Sequence, residues 1–233
     1  MTRAAASGWR LLLTLVLWVV LGVAAGAATL LPLRLLAAPW LAHHRADMSA
    51  VLIAEAYLCL LAALLLAFGG LRGLRDQLGF RYTSAADIGV ALLVWLAAIV
   101  VGAMLSAALA PLIGEPRSNA VSLLRQSFDP LFIAVIVPTV CLLAPVCEEL
   151  LFRGALFGWL RRLLPSPAAI ALTAAVFAGA HLLPTLFPVL FVFGLGATWV
   201  RERTGSTLNS FAMHATQNSF AVVATYALLS QGS

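Results

Sequence analysis

Three short groups of polar residues interrupt an otherwise apolar sequence, and their residue types could do hydrolytic chemistry. A charged side chain inside a bilayer costs about 2.5–3.5 kcal/mol on insertion scales, so those that remain usually face a protein interior and function there. In chain order the groups are Glu148-Glu149-Leu-Leu-Phe-Arg153, Phe177-Ala-Gly-Ala-His181 and His214-Ala-Thr-Gln-Asn218. They supply carboxylates, imidazoles and an amide, which are groups that move protons and stabilise oxyanions.

The first group offers one paired glutamate and one without a cation. Glu149 and Arg153 are four residues apart, so on a helix they share a face and can form an ion pair that offsets the cost of burying either. Glu148 is turned about 100° away on the same helix and can point into a cavity as a base. The alternative interpretation is that both glutamates mark the hydrated, interfacial end of a helix.

The two histidine groups can reach the depth of Glu148. Glu148 and His181 are 33 residues apart, and their midpoint falls on the Leu-Pro-Ser-Pro turn, so an antiparallel helix pair places them at one depth. His214 begins about eight residues, or ~12 Å of helix, after the next turn on that side, and Asn218 shares its face. Taken singly, each histidine is also typical of a hydrogen-bonded core residue, and the asparagine of a bridge between helices.

Together, these groups suit amide hydrolysis, which needs a base to activate water, a partner to hold that water, and donors for the oxyanion. The signatures of other protease chemistries are missing from the sequence. It contains no His-Glu-x-x-His, no Gly-x-Ser-x-Gly and no lysine for a Ser-x-x-Lys motif.

The elements that carry these groups are predicted to be membrane helices. Of the 233 residues, 63% are hydrophobic and 10% charged, against about 45–50% and 25% in soluble domains; soluble and nucleic-acid-binding classes are excluded. We expect an all-α polytopic transmembrane bundle, a single membrane domain over 1–233, with N-terminal spans in 1–129 and a catalytic core in 130–222. About seven spans are predicted, at 11–33, 51–70, 88–110, 130–147 continuing to about 163, 168–183, 188–200 and 207–229.

The distribution of arginine predicts the orientation. All 14 basic residues are arginine, and ten fall in the N-terminus and the segments near 70–87, 148–167 and 201–206, which alternate spans place on one side. The positive-inside rule then gives a cytoplasmic N-terminus. The sixth span is short, and if it is re-entrant the last span inverts. The arginine-only, alanine-rich composition indicates an integral protein of a bacterial cytoplasmic membrane.

The motifs Glu-Glu-x-x-x-Arg, Phe-x-x-x-His and His-x-x-x-Asn, in this order on successive helices, resemble the CAAX-protease and bacteriocin-processing family. This family, also called CPBP or Abi, includes the type II CAAX prenyl endopeptidases. The resemblance covers about residues 130–222 and extends to Pro145 and to Phe152-Arg153-Gly154. It implies an intramembrane endopeptidase acting on a membrane-associated protein or peptide. A bacterial host argues against prenylated substrates, and the oligomeric state is left open.

The resemblance also implies a role for each motif residue. Four would be catalytic: Glu148, His181, His214 and Asn218. Three would support the site: Glu149, Arg153 and Phe177. Glu148 with His181 would hold and activate the attacking water, and His214 with Asn218 would form the oxyanion hole.

Two alternatives stay open at the level of the sequence. Glu148, His181 and His214 are also a plausible two-His, one-carboxylate zinc set with water in the fourth place. We favour a site without a metal or other cofactor, because His214 paired with Asn218 suits an oxyanion clamp. The second alternative is a non-proteolytic membrane module that relays protons or binds a partner helix, for which Asn218 has no obvious use.

Overall fold

A computed structural model describes residues 3–114, 124–125 and 127–230. Within these residues the chain contains helices and no strand, which confirms the predicted all-α class. The helices are α1 (Arg3–Leu36), α2 (Ala38–His43), α3 (Arg45–Phe68), α4 (Gly70–Asp76), α5 (Ala85–Ile113), α6 (Pro130–Leu160), α7 (Ser166–Ala180), α8 (Phe187–Thr204) and α9 (Thr207–Ser230). Each of the seven predicted segments overlaps one of the longer helices, although residues 161–163 and 181–183, predicted as helical, lie beyond the ends of α6 and α7. The short helices α2 and α4 were not predicted.

Four of the helices in the described part of the chain are long and apolar enough to cross a bilayer: Gly8–Leu36 within α1, then α3, α5 and α6. At 15 residues, α7 is apolar but shorter, about 22 Å against a hydrocarbon core of about 30 Å. The last turn of α8 carries Arg201 and Arg203. The total of seven spans therefore stays a prediction.

Local chemistry fixes where the helices that carry the site begin and end. The Asp129 side chain accepts the Leu131 N–H, and Pro130 occupies the first turn of α6, where its missing N–H costs no helical hydrogen bond. Gly205, with φ of 66°, ends α8 in the left-handed conformation that glycine adopts without strain. Because only two residues separate α8 from α9, these helices are antiparallel neighbours.

Helix α6 is irregular on both sides of its glutamate pair. π-Helical turns occupy Thr139–Leu143 and Leu150–Leu156, and the Ala144 N–H reaches back five residues to the Thr139 carbonyl. Pro145 has no N–H to donate, so it cannot continue that pattern. Such π-turns rotate the following side chains relative to a regular helix and often occur at functional sites.

Four segments meet at one end of the bundle, as the alternation of the predicted spans requires. Three hydrogen bonds join them: Arg10 to Gln77, Arg161 Nε to Glu202 Oε1 at 2.9 Å, and the Thr207 N–H to the Gly79 carbonyl at 2.9 Å. We call this the arginine-rich end. That it faces the cytoplasm stays a prediction.

Candidate active site

The centre of the site is a buried ion pair within α6. Arg153 Nη1 donates to Glu149 Oε1 at 2.8 Å, and both side chains have no solvent exposure. The guanidinium also lies over the Phe177 ring, with Cζ 4.2 Å from the ring centroid. The ion pair predicted from the spacing is therefore present, and its position is fixed by an aromatic face from α7.

Glu149 also orients His214, a contact that the sequence analysis did not predict. His214 Nδ1 lies 3.0 Å from Glu149 Oε1, so with an ionised carboxylate this nitrogen carries the hydrogen. The same carboxylate oxygen thus accepts from Arg153 and from His214. A carboxylate that holds one imidazole nitrogen fixes the direction of the other, and His214 Nε2 is turned toward Glu148.

Glu148 has a partner from the N-terminal half of the chain. Tyr57 OH, on α3, donates to Glu148 Oε1 at 2.6 Å, and the Cys147 thiol donates to the Tyr57 carbonyl at 3.4 Å. The other oxygen, Oε2, lies 3.8 Å from His214 Nε2, and the Glu148 side chain is 16% exposed. No arginine among the described residues forms an ion pair with it. Tyr57 was missed because it lies 91 residues away, on a helix with no recognisable motif.

His181 follows directly after the last residue of α7. Its Nδ1 lies 2.9 Å from the Phe177 carbonyl, which can only accept, so Nδ1 carries the hydrogen and Nε2 is left as an acceptor. The next residue, Leu182, has φ of 55°, a left-handed conformation that is uncommon for leucine. Among the described residues, no hydrogen bond or ion pair joins His181 to Glu148.

The Phe177 ring contacts both imidazoles. It is fully buried, and its ring meets those of His181 and His214 edge to face, with centroids 4.9 and 5.8 Å away. Phe193 of α8 meets His214 in the same way at 5.3 Å. The structure therefore brings both histidines to one aromatic ring, and Phe193 is a second aromatic contact of His214 that was not predicted.

Asn218 bridges two helices at a break in the backbone pattern. Its side-chain amide donates to the Val140 carbonyl at 2.9 Å. Val140 lies in the first π-turn of α6, five residues before Pro145, which has no N–H to give it. Asn218 thus satisfies a carbonyl that the proline leaves without a π-helical partner. The amide has a second hydrogen for another acceptor.

The zinc set considered above is not assembled. Within residues 3–114, 124–125 and 127–230, no group of three or more His, Cys, Asp or Glu side chains is placed to hold a metal ion. Each of the three side chains has a protein partner at one of its polar atoms: Tyr57 for Glu148, the Phe177 carbonyl for His181 and Glu149 for His214.

An apolar groove of about 480 Å³ lies beside the site. It is lined by Pro138, Thr139, Leu142, Leu143, Val146 and Phe211. Val146 stands two residues before Glu148, and Phe211 stands three residues before His214. The groove therefore lies between α6 and α9, within one helical turn of both residues along their helices.

Comparison with known proteins supports the resemblance inferred from the motifs. Residues 130–220 match the protein family described as Type II CAAX prenyl endopeptidase Rce1-like, which confirms the predicted resemblance to CPBP proteases. No curated protein and no solved structure matches the chain. That description names an endopeptidase, and the match covers the part of the chain that carries the three motifs. It includes every predicted site residue but not Tyr57.

Proposed function

We propose that this chain is an intramembrane endopeptidase that uses Glu148 as a general base on water, without a metal. The observation that carries the proposal is the fixed, asymmetric placement of the Glu148 carboxylate. One oxygen accepts from Tyr57 OH at 2.6 Å, and the other faces His214 at 3.8 Å, too far for a hydrogen bond. Oε2 is therefore oriented but free to accept a proton.

The reaction proceeds by addition of water to the scissile carbonyl. Glu148 Oε2 takes one proton as the water oxygen bonds to the carbonyl carbon, which gives a tetrahedral oxyanion. When the C–N bond breaks, the Glu148 carboxyl returns that proton to the leaving amine. His181 Nε2, the nitrogen not engaged by Phe177, would accept a hydrogen bond from the second O–H of the water, whose hydrogen stays on the added oxygen and ends on the new carboxyl group.

His214 and Asn218 would stabilise the oxyanion. Since His214 Nδ1 already donates to Glu149, donation from Nε2 to the oxyanion as well would require a second hydrogen on the ring. Asn218 would supply the amide hydrogen that Val140 does not use. Glu149 is then a positioning residue: it acts on the substrate only through His214.

The groove between α6 and α9 supports a substrate that arrives from the bilayer. Its lining is almost entirely apolar, and such a surface binds the hydrocarbon part of a membrane-associated protein or peptide. The sequence at the cleavage site is left open by these contacts.

Comparison of membrane fractions from cells that carry the wild type or Glu148→Gln tests the proposal. We expect at least one membrane protein to accumulate uncut in the variant, and the terminal peptide that cleavage creates in the wild type should be missing. Glu55→Gln is the matched control, because Glu55 is another glutamate in a membrane helix but accepts from Thr29, away from the site. Identical terminal peptides in wild type and Glu148→Gln would defeat the proposal, and loss of proton flux without cleavage would favour the proton-relay alternative.

Metal dependence has its own test. The purified chain should contain no stoichiometric zinc and should retain its cleavage activity after dialysis against a chelator. Zinc at one equivalent, together with loss of cleavage on its removal, would contradict the metal-free mechanism.

A further inference from the structure

Two arginines at the arginine-rich end have no anionic partner among the described residues. Arg81 lies in the loop after α4 and is exposed, and Arg201 lies in the last turn of α8 and is half-buried. None of the ion pairs within the described part of the chain includes either residue. Arg201 Nε is buried without a hydrogen-bond partner. A buried donor left in this way has an energetic cost that a ligand could remove.

Two glycines bring these guanidiniums together. A methyl group at Gly79 would lie 2.7 Å from Arg201 Nη2, and one at Gly205 would lie 3.3 Å from Arg81 Nη2. The Gly205 carbonyl is itself 3.0 Å from the position of that first methyl group. Both guanidiniums thus lie against one pair of facing glycines, where any larger residue would displace them.

The electrostatics of this pair favour an added anion. Burial, and after it the positive charge of Arg81, hold the pKa of Arg201 below its usual value, although Glu202 opposes them. Glu202 is itself engaged by Arg161 Nε at 2.9 Å. Two like charges therefore lie close together, while the neighbouring carboxylate is bound elsewhere.

The first amides of α9 are not available for this role. The Thr207 N–H donates to the Gly79 carbonyl, and the Leu208 N–H donates to the Ser206 hydroxyl. Ser206 also donates to the Arg81 carbonyl. An anion here would be held by guanidinium groups rather than by the helix end, and it would tie the loop after α4 to the turn between α8 and α9.

We propose that Arg81 and Arg201 form a binding site for a phosphate group. A planar guanidinium donates two parallel hydrogen bonds to phosphate oxygens, and a pair of them suits a phosphate monoester, a phosphate diester or the free ion. Arg201 follows the last residue of the predicted sixth span, and a crossing helix there would place it at the depth of phospholipid headgroups. The same chemistry is offered by an anionic phospholipid and by phosphate in solution. The site is independent of the proposed protease activity.

Thermal unfolding of the full chain in an uncharged detergent tests this site. The probes are inorganic phosphate and short-chain phosphatidylglycerol, each compared with chloride at matched ionic strength, because a ligand that binds only the native state raises its melting temperature. The variants are Arg81→Gln, which changes an exposed side chain and leaves folding intact, Arg201→Gln, and Arg203→Gln. Arg203 is the matched control, since its guanidinium lies over Trp199 instead.

We expect the lipid to raise the melting temperature of the wild type and of Arg203→Gln equally. Arg81→Gln and Arg201→Gln should each weaken the apparent affinity about ten-fold or more, the effect of losing a charge-assisted hydrogen bond. Stabilisation by phosphatidylglycerol alone identifies a lipid headgroup as the ligand, and stabilisation by both probes identifies the phosphate group itself. No stabilisation by either, or equal stabilisation in Arg81→Gln and the wild type, overturns the proposal.

Discussion

Helices α1 and α6 are similar in length and apolar character, yet they differ in burial and in the polar residues they carry. The apolar stretch of α1 has 29 residues and that of α6 has 31. Within the most apolar 18 residues of each helix, however, the share of residues that are buried is 6% in α1 and 33% in α6. Helix α1 presents side chains such as Leu12 outward, whereas α6 carries Glu148, Glu149 and Arg153 between other helices. Apolar length indicates a membrane helix, whereas buried polar residues indicate which helix carries the candidate site.

The N-terminal half of the chain also contributes a residue to the candidate site. The family match begins at residue 130, yet Tyr57 on α3 supplies the hydrogen bond that orients Glu148. The N-terminal half therefore completes a site that the C-terminal half mostly builds. Five substitutions measure how sharply that division holds.

Glu148→Gln should have the largest effect. Loss of the general base should lower kcat about 10²–10⁴-fold, while the glutamine oxygen can still accept from Tyr57, so the fold is kept. Cleavage of a substrate by the purified chain measures the first expectation, and the melting temperature measures the second. Glu55→Gln, in the N-terminal half, should cleave at the wild-type rate. An equal loss of cleavage in Glu148→Gln and Glu55→Gln would contradict the assignment of the general base to the C-terminal half.

Glu149→Gln should destabilise the protein most. It leaves the Arg153 charge buried without its counter-ion, a change that costs about 3–5 kcal/mol. Unfolding in detergent measures the loss. The double variant Glu149→Gln with Arg153→Met should recover much of the stability but not the activity, because no buried charge remains while His214 has still lost its carboxylate. Full activity in the double variant would show that Glu149 has only a structural role.

Asn218→Ala should lower kcat about 10²–10³-fold with little change in KM, because an oxyanion donor acts mainly in the transition state. The neighbouring Gln217 provides the control: its side chain accepts from Trp95 on α5, and Gln217→Ala should retain most of the activity. A rise in KM alone for Asn218→Ala would assign its amide to the helix bridge with Val140.

Tyr57→Phe should lower kcat about ten-fold, the effect of removing one hydrogen bond to a charged group, with little change in stability. Tyr82→Phe, in the exposed loop after α4, is the control and should cleave as the wild type does. Steady-state kinetics on both variants makes the comparison. An unchanged rate for Tyr57→Phe would confine the site to the C-terminal half.

Leu12→Ala should have the smallest effect. The Leu12 side chain is 63% exposed on α1, so its removal should change the free energy of unfolding by less than about 0.5 kcal/mol. A loss several times larger in the detergent-solubilised chain would indicate that α1 is packed against another surface.

Much of the fold could be predicted because membrane helices follow from local composition. The charge-free runs and the Pro and Gly breakers located the long helices but not the short α2 and α4; for example, the segment predicted at 88–110 is α5, Ala85–Ile113. The shared end of four segments followed from the alternation of the predicted spans, and the Arg161–Glu202 ion pair lies there. The number of spans could not be fixed, because a helix as short as α7 can cross, tilt or turn back at similar cost.

The candidate site was predicted less completely, and the reason is long-range structure. The Glu149–Arg153 ion pair follows from four-residue spacing. The hydrogen bond that His214 donates to Glu149, by contrast, joins residues 65 positions apart. The π-turns on either side of Glu148 and Glu149 depend on backbone bonds that a regular helical projection does not represent. That Asn218 also bonds a backbone carbonyl becomes visible only once the π-turn before Pro145 is known.

The most direct measurement is cleavage by the purified chain in liposomes, with a substrate identified from the membrane fractions, in water enriched in oxygen-18. Mass spectrometry of the products should show one heavy oxygen in the new C-terminal carboxylate for the wild type and for Glu55→Gln. Glu148→Gln should give almost no product. Cleavage by Glu148→Gln at the wild-type rate would contradict the claim that Glu148 activates the attacking water.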